Sequence, residues 1–242
     1  MARLYYDLHI HSCLSPCSDD DMTPSNIVRM AVIKGLNVIA LTDHNSLKNT
    51  PAFMSIASQY DIIAIPGVEV STIEDVHVIG LFPTLEDALK FDKFIYNKLT
   101  NVENNPKFFG NQYIYNEQDK IIASEPKLLI NGASISIDET YDKIISHNGI
   151  MIPAHIDKPS NSLLANLGFV PENSKFNCIE IKNKEKEAEI ISKNPYLKNC
   201  KIIYNSDAHY LYEINECENF IEVESVNISD ILNELNRKIT EL

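Results

Sequence analysis

Short apolar, β-branched runs alternate with amphipathic helical stretches along most of this chain. Seven such runs predict strands, and each ends in or next to a polar or turn-forming residue. These runs are Tyr5–His11, Asn37–Thr42, Ile62–Val70, Val76–Phe82, Ile150–His155, Phe176–Ile181 and Lys201–Asn205. Strands that alternate with helices favour a parallel α/β arrangement, which is either an open sheet or a closed barrel.

Several of the intervening helices carry sequence signals at their ends. Thr23–Pro24 predicts an N-cap followed by proline at the first helical position, and Gly35 predicts the end of that helix. Thr84 with Asp87 resembles a capping box in which Asp replaces the usual Glu or Gln. Further helices are expected at about Asp138–His147, Lys184–Asn194 and Ser229–Thr240.

The stretch Asn101–Ile135 departs from this alternation. It is rich in Asn and aromatic residues and has no clear rhythm of strands and helices. A stretch this long inside a domain is usually functional or a separate cap. We therefore expect a single domain over residues 1–242, with an insertion at about 101–135.

Charge and composition narrow the class of protein. The formal net charge is −13, and a surface this acidic would repel nucleic-acid phosphates and anionic lipids. The same excess of acidic residues would also arise if carboxylates gathered in one cavity, where metal cations bound to them would offset their charge. The sequence has no apolar run of roughly 18 residues and no signal-peptide pattern, so we expect no membrane span. Five scattered cysteines then favour a cytoplasmic protein with reduced thiols.

Histidine and acidic residues fall at or near the ends of the predicted strands. His9 and His11 (DLHIH) are two residues apart, so their side chains share one face of a strand and can bind one ion. In parallel α/β folds the carboxyl ends of the strands collect on one rim, where active sites form. A lone histidine there is usually a hydrogen-bonded structural residue, but a set at successive strand ends favours a metal centre. The other members of the set are Asp43, His44, Glu69, His77, His155, Asp207 and His209.

These motifs resemble the polymerase-and-histidinol-phosphatase (PHP) family of metal-dependent phosphoesterases. The matching segments are DLHIHS, SDDDMTP, GLNVIALTDHN, GVEVS, HVIGLF, PAHID and NSDAH. They follow the order of the family and extend over nearly the whole chain apart from the insertion. The resemblance implies a distorted seven-stranded (β/α) barrel, which agrees with the predicted number of strands.

The resemblance also implies nine ligands for two or three divalent ions. The first ion would be held by His9, His11, Glu69 and Asp207. Glu69 would bridge to a second ion held by His77 and His155. A third ion would be held by Asp19, His44 and His209. A donor set rich in oxygen and nitrogen suits Mn²⁺, Fe²⁺ or Zn²⁺.

The segment that contains Asp19 departs from the family pattern. Ser18–Asp19 is delayed relative to the HxH motif by the residues CLSPC, and Asp20 replaces a glycine. Asp19 is favoured as the ligand because SDDDMTP aligns without gaps to its proline, but Asp20 or Asp21 stays an alternative. Cys13 and Cys17 flank this loop, and cysteine is a good zinc ligand. The resemblance assigns the two thiols no role, and we expect them to be structural.

Other residues near these motifs are candidates for catalytic roles. Asp43, beside His44, is a candidate acceptor that orients a ligand imidazole. Asp157 is a candidate for assisting proton transfer, or a plain solvent-facing turn residue. Lys158 is a candidate for contacting a substrate phosphate as a point charge, or a solvated loop lysine. Glu180 ends the sixth run and is expected to line the pocket without binding metal.

The predicted activity is hydrolysis of a small-molecule phosphate ester, such as a nucleotide or sugar phosphate, by a metal-activated water. An exonuclease is the first alternative, but it would need a basic track and stacking aromatic residues, and the net charge argues against that track. Phe108, Phe109, Tyr113 and Tyr115 offer some room for base stacking, although we favour a small core of the insertion. A non-catalytic metal-binding regulatory module and an amide or cyclic imide hydrolase are further alternatives, because fold alone does not separate them. The sequence does not define an oligomeric state.

Overall fold

The computed structural model of the protein describes residues 1–239. The strands are β1 (Ala2–Ile10), β2 (Val38–Leu41), β3 (Ile63–Ser71), β4 (His77–Leu81), β5 (Tyr113–Tyr115), β6 (Ile121–Ser124), β7 (Ile150–Pro153), β8 (Cys178–Glu180), β9 (Lys201–Ile203) and β10 (Phe220–Val223). The α-helices are α1 (Pro24–Ile33), α2 (Thr50–Ala57), α3 (Leu85–Tyr96), α4 (Pro106–Phe109), α5 (Ile137–Ser146), α6 (Leu163–Leu167), α7 (Glu187–Lys193) and α8 (Ile228–Leu235). Each of the seven predicted strand runs contains a strand, and the α/β class is confirmed.

The main sheet contains six strands in the order β10-β1-β2-β3-β4-β7. Strands β1, β2 and β3 are parallel, whereas β10 is antiparallel to β1 and β4 is antiparallel to both β3 and β7. Strands β8 and β9 form a separate parallel pair. A few backbone hydrogen bonds just beyond the strand ends connect this pair to the main sheet, from Ile156 N to Glu180 O (2.9 Å), from His11 N to Ala208 O (3.0 Å) and from Ala208 N to His9 O (3.4 Å). The sheet therefore curls into a half-barrel, and a closed (β/α)7 barrel is not confirmed.

The direction of β4 has a simple cause in the length of its connection to β3. Only residues 72–76 separate the two strands. A parallel crossover needs about a dozen residues or more, so a link this short turns the chain straight back into an antiparallel neighbour. The expectation of a wholly parallel sheet was wrong at this strand.

This reversal decides where His77 lies. In the antiparallel register Ser71 pairs with His77, and Val78 pairs with Pro153. The first residue of β4 therefore lies at the same rim as the last residues of β3 and β7. A histidine that begins a strand thus joins the acidic and histidine residues that end the neighbouring strands.

The predicted helix caps are present. The Thr23 hydroxyl accepts from Asn26 N (3.2 Å), and the Thr84 hydroxyl accepts from Asp87 N (3.1 Å). Asn148, after α5, adopts a left-handed conformation with φ 60°. The predicted final helix extends to Thr240, which lies outside the described residues. No helix in the described part of the chain combines the length and apolar character needed to cross a bilayer.

Alternating positions of β2 show how the core is layered around the sheet. Val38 and Ala40 pack with apolar residues of strands β1, β3, β4, β7, β8, β9 and β10, which fill the inside of the curl. Ile39 and Leu41 face the opposite way and pack against α1 and α2. The rim residues are consequently supported from below by a continuous buried layer.

The insertion forms α4 and a hairpin of β5 and β6, which is a sheet of its own. It packs on the loop after β1, where Tyr113 N donates to Cys13 O (3.0 Å). Gly110 approaches the same loop so closely that an added Cβ would lie 2.2 Å from Pro16 O. Phe108 is 83% exposed, so the expected small core of the insertion does not include it.

Candidate metal centre

Eight predicted ligands come together at the rim of the half-barrel, and we call them the histidine–carboxylate cluster. All are buried except His209, which is half-buried. They lie at strand ends, in the segments that follow them, or at the start of β4. The members are His9, His11, His44, Glu69, His77, His155, Asp207 and His209.

The first group of donor atoms contains His9, His11, Glu69 and Asp207. The Nε2 atoms of the two histidines are 3.1 Å apart. The same atoms lie 3.3–3.5 Å from oxygens of Glu69 and 3.4 Å from Oδ1 of Asp207. Ligand atoms at 2.0–2.2 Å from a tetrahedral ion are about 3.3–3.6 Å apart, so these spacings fit one shared cation.

Glu69 connects the first group to a second one. Its Oε1 lies 3.0 Å from His77 Nδ1 and 3.1 Å from His155 Nε2, and its Oε2 lies 2.9 Å from His44 Nδ1. His44, Glu69 and His77 form one compact donor group. The carboxylate therefore faces imidazoles from both of its oxygens, as a bridging ligand would.

A third group contains His11, His44 and His209, without a carboxylate. The ring centroid of His11 lies 4.5 Å from that of His44 and 4.4 Å from that of His209. Nδ1 of His209 lies 2.9 Å from Asp207 O and can donate to it, which would leave Nε2 to face a cation.

Asp19, which the resemblance placed in this third group, is exposed and belongs to no donor group among the described residues. Its backbone N donates to His209 O (3.0 Å), while its carboxylate accepts from Asp21 N (2.9 Å). The alternative, Asp20, accepts from Asn111 of the insertion (2.9 Å). The loop is anchored beside the cluster, but the structure does not bring either carboxylate into it.

Two buried hydrogen bonds position the histidines of the first group. His9 Nδ1 lies 3.0 Å from Oε1 of Glu180, and a carboxylate can only accept, so Nδ1 carries the hydrogen. His11 Nδ1 lies 3.0 Å from the Ser15 hydroxyl, which itself donates to Asp43 (2.7 Å) and so accepts from His11. In the neutral form both imidazoles would therefore direct an Nε2 lone pair into the group, and this is the form that binds metal. Burial acts to lower the pKa of His9, but Glu180, Asp207 and Glu69 outweigh it and hold that pKa well above its ordinary value, so a bound cation would replace a proton on His9.

Asp43 acts on the cluster through serines instead of touching an imidazole. Its carboxylate accepts from Ser12 N (2.7 Å), the Ser12 hydroxyl (2.6 Å) and the Ser15 hydroxyl (2.7 Å). The Ser15 hydroxyl also accepts from His44 N (3.1 Å). Burial raises the pKa of Asp43 to about 6, although these hydrogen bonds act to lower it. The expected orienting role is thus supported by a geometry that runs through Ser15.

The electrostatics of the cluster favour a bound cation. Burial acts to raise the pKa of Glu69, but the surrounding His77, His9 and His44 outweigh it and hold that pKa well below its ordinary value. Burial, with His209 and His44, holds the pKa of His11 well below its ordinary value, which favours the neutral ligand form.

Three buried polar atoms of the cluster lack a hydrogen bond of good geometry in the described part of the chain: His44 Nδ1, Glu69 Oε2 and His155 Nδ1. The first two lie 2.9 Å apart but are not aligned for a hydrogen bond. A buried polar atom without a partner lowers the stability of the folded state unless a bound ligand or ion satisfies it. His155 and Asp207 also adopt left-handed backbone conformations, with φ 30° and 53°. Strain of this kind concentrates at functional sites. The residues present therefore fit a divalent metal centre.

The other two candidate catalytic residues lie beside the cluster. Lys158 Nζ lies 2.5 Å from Oδ2 of Asp207. Burial acts to lower the pKa of Lys158, but the negative charge of Asp207 outweighs it and raises that pKa above its ordinary value. Asp157 accepts from Lys182 N (2.7 Å) and Asn183 N (2.9 Å). The carboxylate of Asp157 thus fixes a loop, and this geometry favours the structural alternative to proton transfer.

The thiols expected to be structural stay outside the donor groups of residues 1–239. Cys13 is buried, and burial raises the pKa of Cys13 beyond the usual range of a thiol. Cys17 as a whole is exposed, but its thiol group is buried. This burial, with the nearby charge of Glu69, raises the pKa of Cys17 to about 12. Both thiols are thus favoured in the protonated form in the absence of a metal.

Sequence reasoning missed the roles of Ser12, Ser15 and Glu180. Glu180 is the last residue of β8, and Glu69 lies two residues before the end of β3, so the position of Glu180 carried a similar signal for the site. The Glu180 carboxylate accepts hydrogen bonds from His9 Nδ1 (3.0 Å), His155 N (2.9 Å) and Asn205 Nδ2 (2.6 Å). The two serines follow the HxH motif without any pattern that marks them.

The curled α/β sheet with this cluster at its rim defines a class of metal-binding α/β domain. The model of the PHP domain family matches residues 7–145, more than half of the chain. The chain therefore belongs to the PHP domain family, whose members are metal-dependent hydrolases of phosphoric esters.

Curated relatives match only part of the chain. A 5′-3′ exoribonuclease from Haemophilus influenzae is 37% identical over 79 residues, which is 31% of this chain and 28% of that protein. The 5′-3′ exoribonuclease Rnm from Salmonella typhimurium is 36% identical over 94 residues, which is 35% of this chain and 31% of that protein. The chain thus matches less than a third of the length of these relatives.

Solved structures share the fold over nearly the whole chain. The lesion-specific endonuclease PfuEndoQ from Pyrococcus furiosus superposes with a TM-score of 0.68 at 21% identity, covering 96% of this chain and 55% of that one. An amidohydrolase from Chromobacterium violaceum superposes with a TM-score of 0.58 at 17% identity, covering 89% and 91%. At these identities the likeness concerns the fold alone.

Proposed function

We propose that this chain is a metal-dependent phosphoesterase that hydrolyses a phosphate ester of a nucleotide or of a nucleic-acid end. The observation that carries the proposal is the overlap of three donor groups, in which Glu69 and His11 each belong to two. Overlapping groups would hold ions close together, and closely spaced ions are the usual equipment for phosphate-ester hydrolysis.

Mn²⁺, Fe²⁺ or Zn²⁺ would be held by the cluster. Bound divalent ions would supply a hydroxide nucleophile near neutral pH and offset the charge of the reacting phosphate. The protein residues contribute orientation. Glu180 and Ser15 fix the imidazoles of His9 and His11, and the buried layer below keeps the donor atoms in place.

Lys158 is the residue that we expect to contact the reacting phosphate. Its side chain is 37% exposed, and its ammonium group lies against Asp207 at the edge of the cluster. In the presence of a substrate this flexible cation can meet a phosphate oxygen while staying near Asp207. His209, the half-buried member of the cluster, lies on the same open side.

The comparisons support a nucleotide or nucleic-acid substrate. Two curated relatives with about a third of their length in common with this chain are 5′-3′ exoribonucleases. The net charge of −13 still argues against a long basic track. A short strand or a strand end, bound mainly at the cluster, reconciles the two observations.

A small-molecule phosphate ester, such as a sugar phosphate, is the second candidate, and the acidic surface favours it. Competition separates the two candidates. A nucleic-acid substrate predicts that short oligonucleotides inhibit hydrolysis of p-nitrophenyl phosphate strongly, with inhibition that weakens as salt rises. A small-molecule substrate predicts weak inhibition at any salt concentration.

The test uses purified protein with measured metal content, loaded separately with Mn²⁺, Fe²⁺ or Zn²⁺. The substrates are p-nitrophenyl phosphate, nucleoside mono- and bisphosphates, a sugar phosphate and short 5′-phosphorylated single strands. We expect at least one metal form to hydrolyse a phosphate ester. Metal content without turnover of any ester would instead favour the regulatory-module alternative.

Three variants locate the activity. His9→Ala and Glu69→Gln remove ligands of the first group, and we expect kcat to fall by about 100-fold or more, since the residues of such a site act as a unit. His147→Ala is the matched control, because His147 lies at the end of α5 and its imidazole hydrogen-bonds only Lys143 and Ser146 among residues 1–239. Full activity in the ligand variants would refute the proposed site.

A further inference from the structure

An open cavity of about 790 Å³ adjoins the histidine–carboxylate cluster on the side of Asp207 and His209. We propose that it is a second substrate subsite, in which Lys182 and Lys184 bind a phosphate next to the reacting one while Tyr210 and Tyr212 stack on its base. This inference rests on the proposed function. It assigns the substrate class as a nucleotide with two phosphates or a short single strand.

The cations form a row that leads away from the cluster. Lys158 contacts the carboxylate of Asp207, and the ammonium group of Lys182 donates to the carbonyl of Ser206, the residue before Asp207. Lys184 lies further along, where its Nζ donates to Asn219 Oδ1 (2.8 Å). Successive phosphates of one strand need such a row of separate positive charges.

Lys182 and Lys184 are available for an anion. Both residues are exposed, and neither ammonium group has a carboxylate oxygen within ion-pair distance in the described chain. Their present acceptors are neutral oxygens, a carbonyl and an amide. In a chain of net charge −13, two lysines that line the same cavity and have no carboxylate partner among residues 1–239 favour a phosphate as their partner.

The lysine segment is fixed relative to the cluster. Asp157 accepts from Lys182 N and Asn183 N, and Asn183 Oδ1 accepts from Glu185 N (2.9 Å). Asp157 lies two residues after the ligand His155. The distance between the reacting phosphate and the lysines is therefore set by short connections instead of by a flexible loop.

Three carboxylates line the cavity beside the three lysines, and bound cations would offset one of them. Asp207 belongs to the cluster, where a cation would neutralise it. Glu213 Oε2 accepts from the backbone N of His209 (2.9 Å) and of Tyr210 (3.2 Å). Glu218 is the remaining carboxylate that lines the cavity in the described part of the chain. The wall formed by Lys158, Lys182 and Lys184 thus favours an anionic ligand.

Tyr210 and Tyr212 form a stacked pair of aromatic rings next to this wall. Their ring centroids are 5.5 Å apart with an interplanar angle of 22°, and the residues are 41% and 72% exposed. Tyr210 lines the cavity and directly follows the ligand His209. Stacking on an exposed aromatic face is how proteins hold bases without reading their sequence.

The test measures binding of a 5′-phosphorylated pentathymidylate with phosphorothioate linkages, which slow hydrolysis, to Mn²⁺-loaded protein by fluorescence anisotropy. For Lys182→Met/Lys184→Met we expect Kd to rise about tenfold at low salt, and the slope of log Kd against log salt to fall by about 1.4, or 0.7 per lysine. For Tyr210→Leu/Tyr212→Leu we expect Kd to rise at least about fivefold with the slope unchanged.

Matched controls isolate these effects. Lys186→Met removes an exposed lysine of the same segment that does not line the cavity, and should leave Kd and the salt slope unchanged. Lys182→Arg/Lys184→Arg keeps the charge and should restore binding. If the methionine pair binds the pentamer with the Kd and slope of the wild type, the subsite is refuted.

A second readout separates this inference from the proposed function. The kcat/KM for p-nitrophenyl phosphate, which has a single phosphate, should fall by a smaller factor in the methionine pair than the affinity for the pentamer does. Absence of turnover with every ester, together with the expected loss of binding, would refute the phosphoesterase activity and support the subsite. Turnover of an ester by the wild type, with no loss of pentamer binding in the methionine pair, would support the phosphoesterase activity and refute the subsite.

Discussion

His9 Nδ1 lies 3.0 Å from Oε1 of the buried Glu180, whereas Nε2 of the same ring lies 3.1 Å from His11 Nε2. The carboxylate thus determines which nitrogen of His9 faces the cluster. It also accepts from His155 N, so a single side chain positions a ligand of the first group and the backbone of a second ligand. A residue that touches no candidate ion should therefore affect how well ions bind.

Glu180→Gln should weaken metal binding by about 10–100-fold, the usual effect of losing a carboxylate behind a ligand histidine. The amide can still accept from one donor, but it lacks the charge that holds His9 in one tautomer. Competition with a chromophoric chelator measures the affinity for Zn²⁺ or Mn²⁺. Glu185→Gln, an exposed glutamate in the next segment, is the control and should bind metal as the wild type does. Equal affinity in both variants would contradict the role of Glu180.

Ser15→Ala should destabilise the protein even without metal. The Ser15 hydroxyl joins Asp43, His11 and His44 N, and its loss leaves a buried carboxylate and a buried imidazole each with one partner fewer. We expect the free energy of unfolding to fall by about 1–3 kcal/mol in urea titrations with EDTA present. Ser146→Ala is the control, because the exposed Ser146 hydroxyl bonds only residues nearby in the chain. This substitution should change the free energy of unfolding little. A loss confined to the metal-loaded protein would argue against this network.

Metal removal should lower the stability of the wild type more than that of Glu69→Gln. An ion that binds only the folded state stabilises it by about 4 kcal/mol when present at a thousand times its Kd. Glu69 contributes to two donor groups, so the variant should lose most of this increment. Thermal unfolding with and without EDTA measures both differences. An EDTA effect of the same size in the two proteins would show that the ions bind elsewhere.

The sequence alone was enough to predict seven of the ten described strands and the eight candidate ligands that converge, because each of these residues lies near a strand end or start that the apolar pattern makes visible. Strands β5, β6 and β10 were not predicted. The direction of β4 was not predicted, although the short segment 72–76 contains the reason. A strand count alone suggests a uniform barrel, whereas the length of each connection decides which neighbours can be parallel.

Contacts between distant segments were beyond the reach of sequence patterns. Asp19 matches a family motif, yet the loop that carries it is held by the insertion and by His209 O, and the carboxylate faces solvent. Ser15 and Lys182 likewise obtain their roles from residues far along the chain. Such roles depend on tertiary packing, which no local pattern encodes.

Gly110→Ala should destabilise the protein more than Gly168→Ala does. Both glycines adopt left-handed φ values, 95° and 80°, so each substitution introduces about 1–2 kcal/mol of backbone strain. Only at Gly110 would the added Cβ also meet Pro16 O at 2.2 Å, whereas nothing lies within 4 Å at Gly168. We expect about 1–3 kcal/mol of further loss at Gly110 from the forced separation of insertion and loop. An equal decrease in the free energy of unfolding of the two variants in urea would show that the contact between Gly110 and Pro16 does not affect stability.

Asp92→Asn should have a pH-dependent effect on stability. Burial raises the pKa of Asp92 above its ordinary 3.8, although Leu47 N and Lys48 act to lower it. A carboxyl whose pKa is raised by folding favours the folded state below the unfolded pKa, and this contribution is lost as pH rises through the folded pKa. The amide can still accept from Leu47 N but cannot ionise. The free energy of unfolding of the variant, relative to the wild type, should therefore increase from about pH 4 upwards and level off once the pH has passed the raised pKa of the folded state. Urea titrations with EDTA measure this difference, and a decrease over the same interval would show that Lys48 and the hydrogen bond outweigh burial.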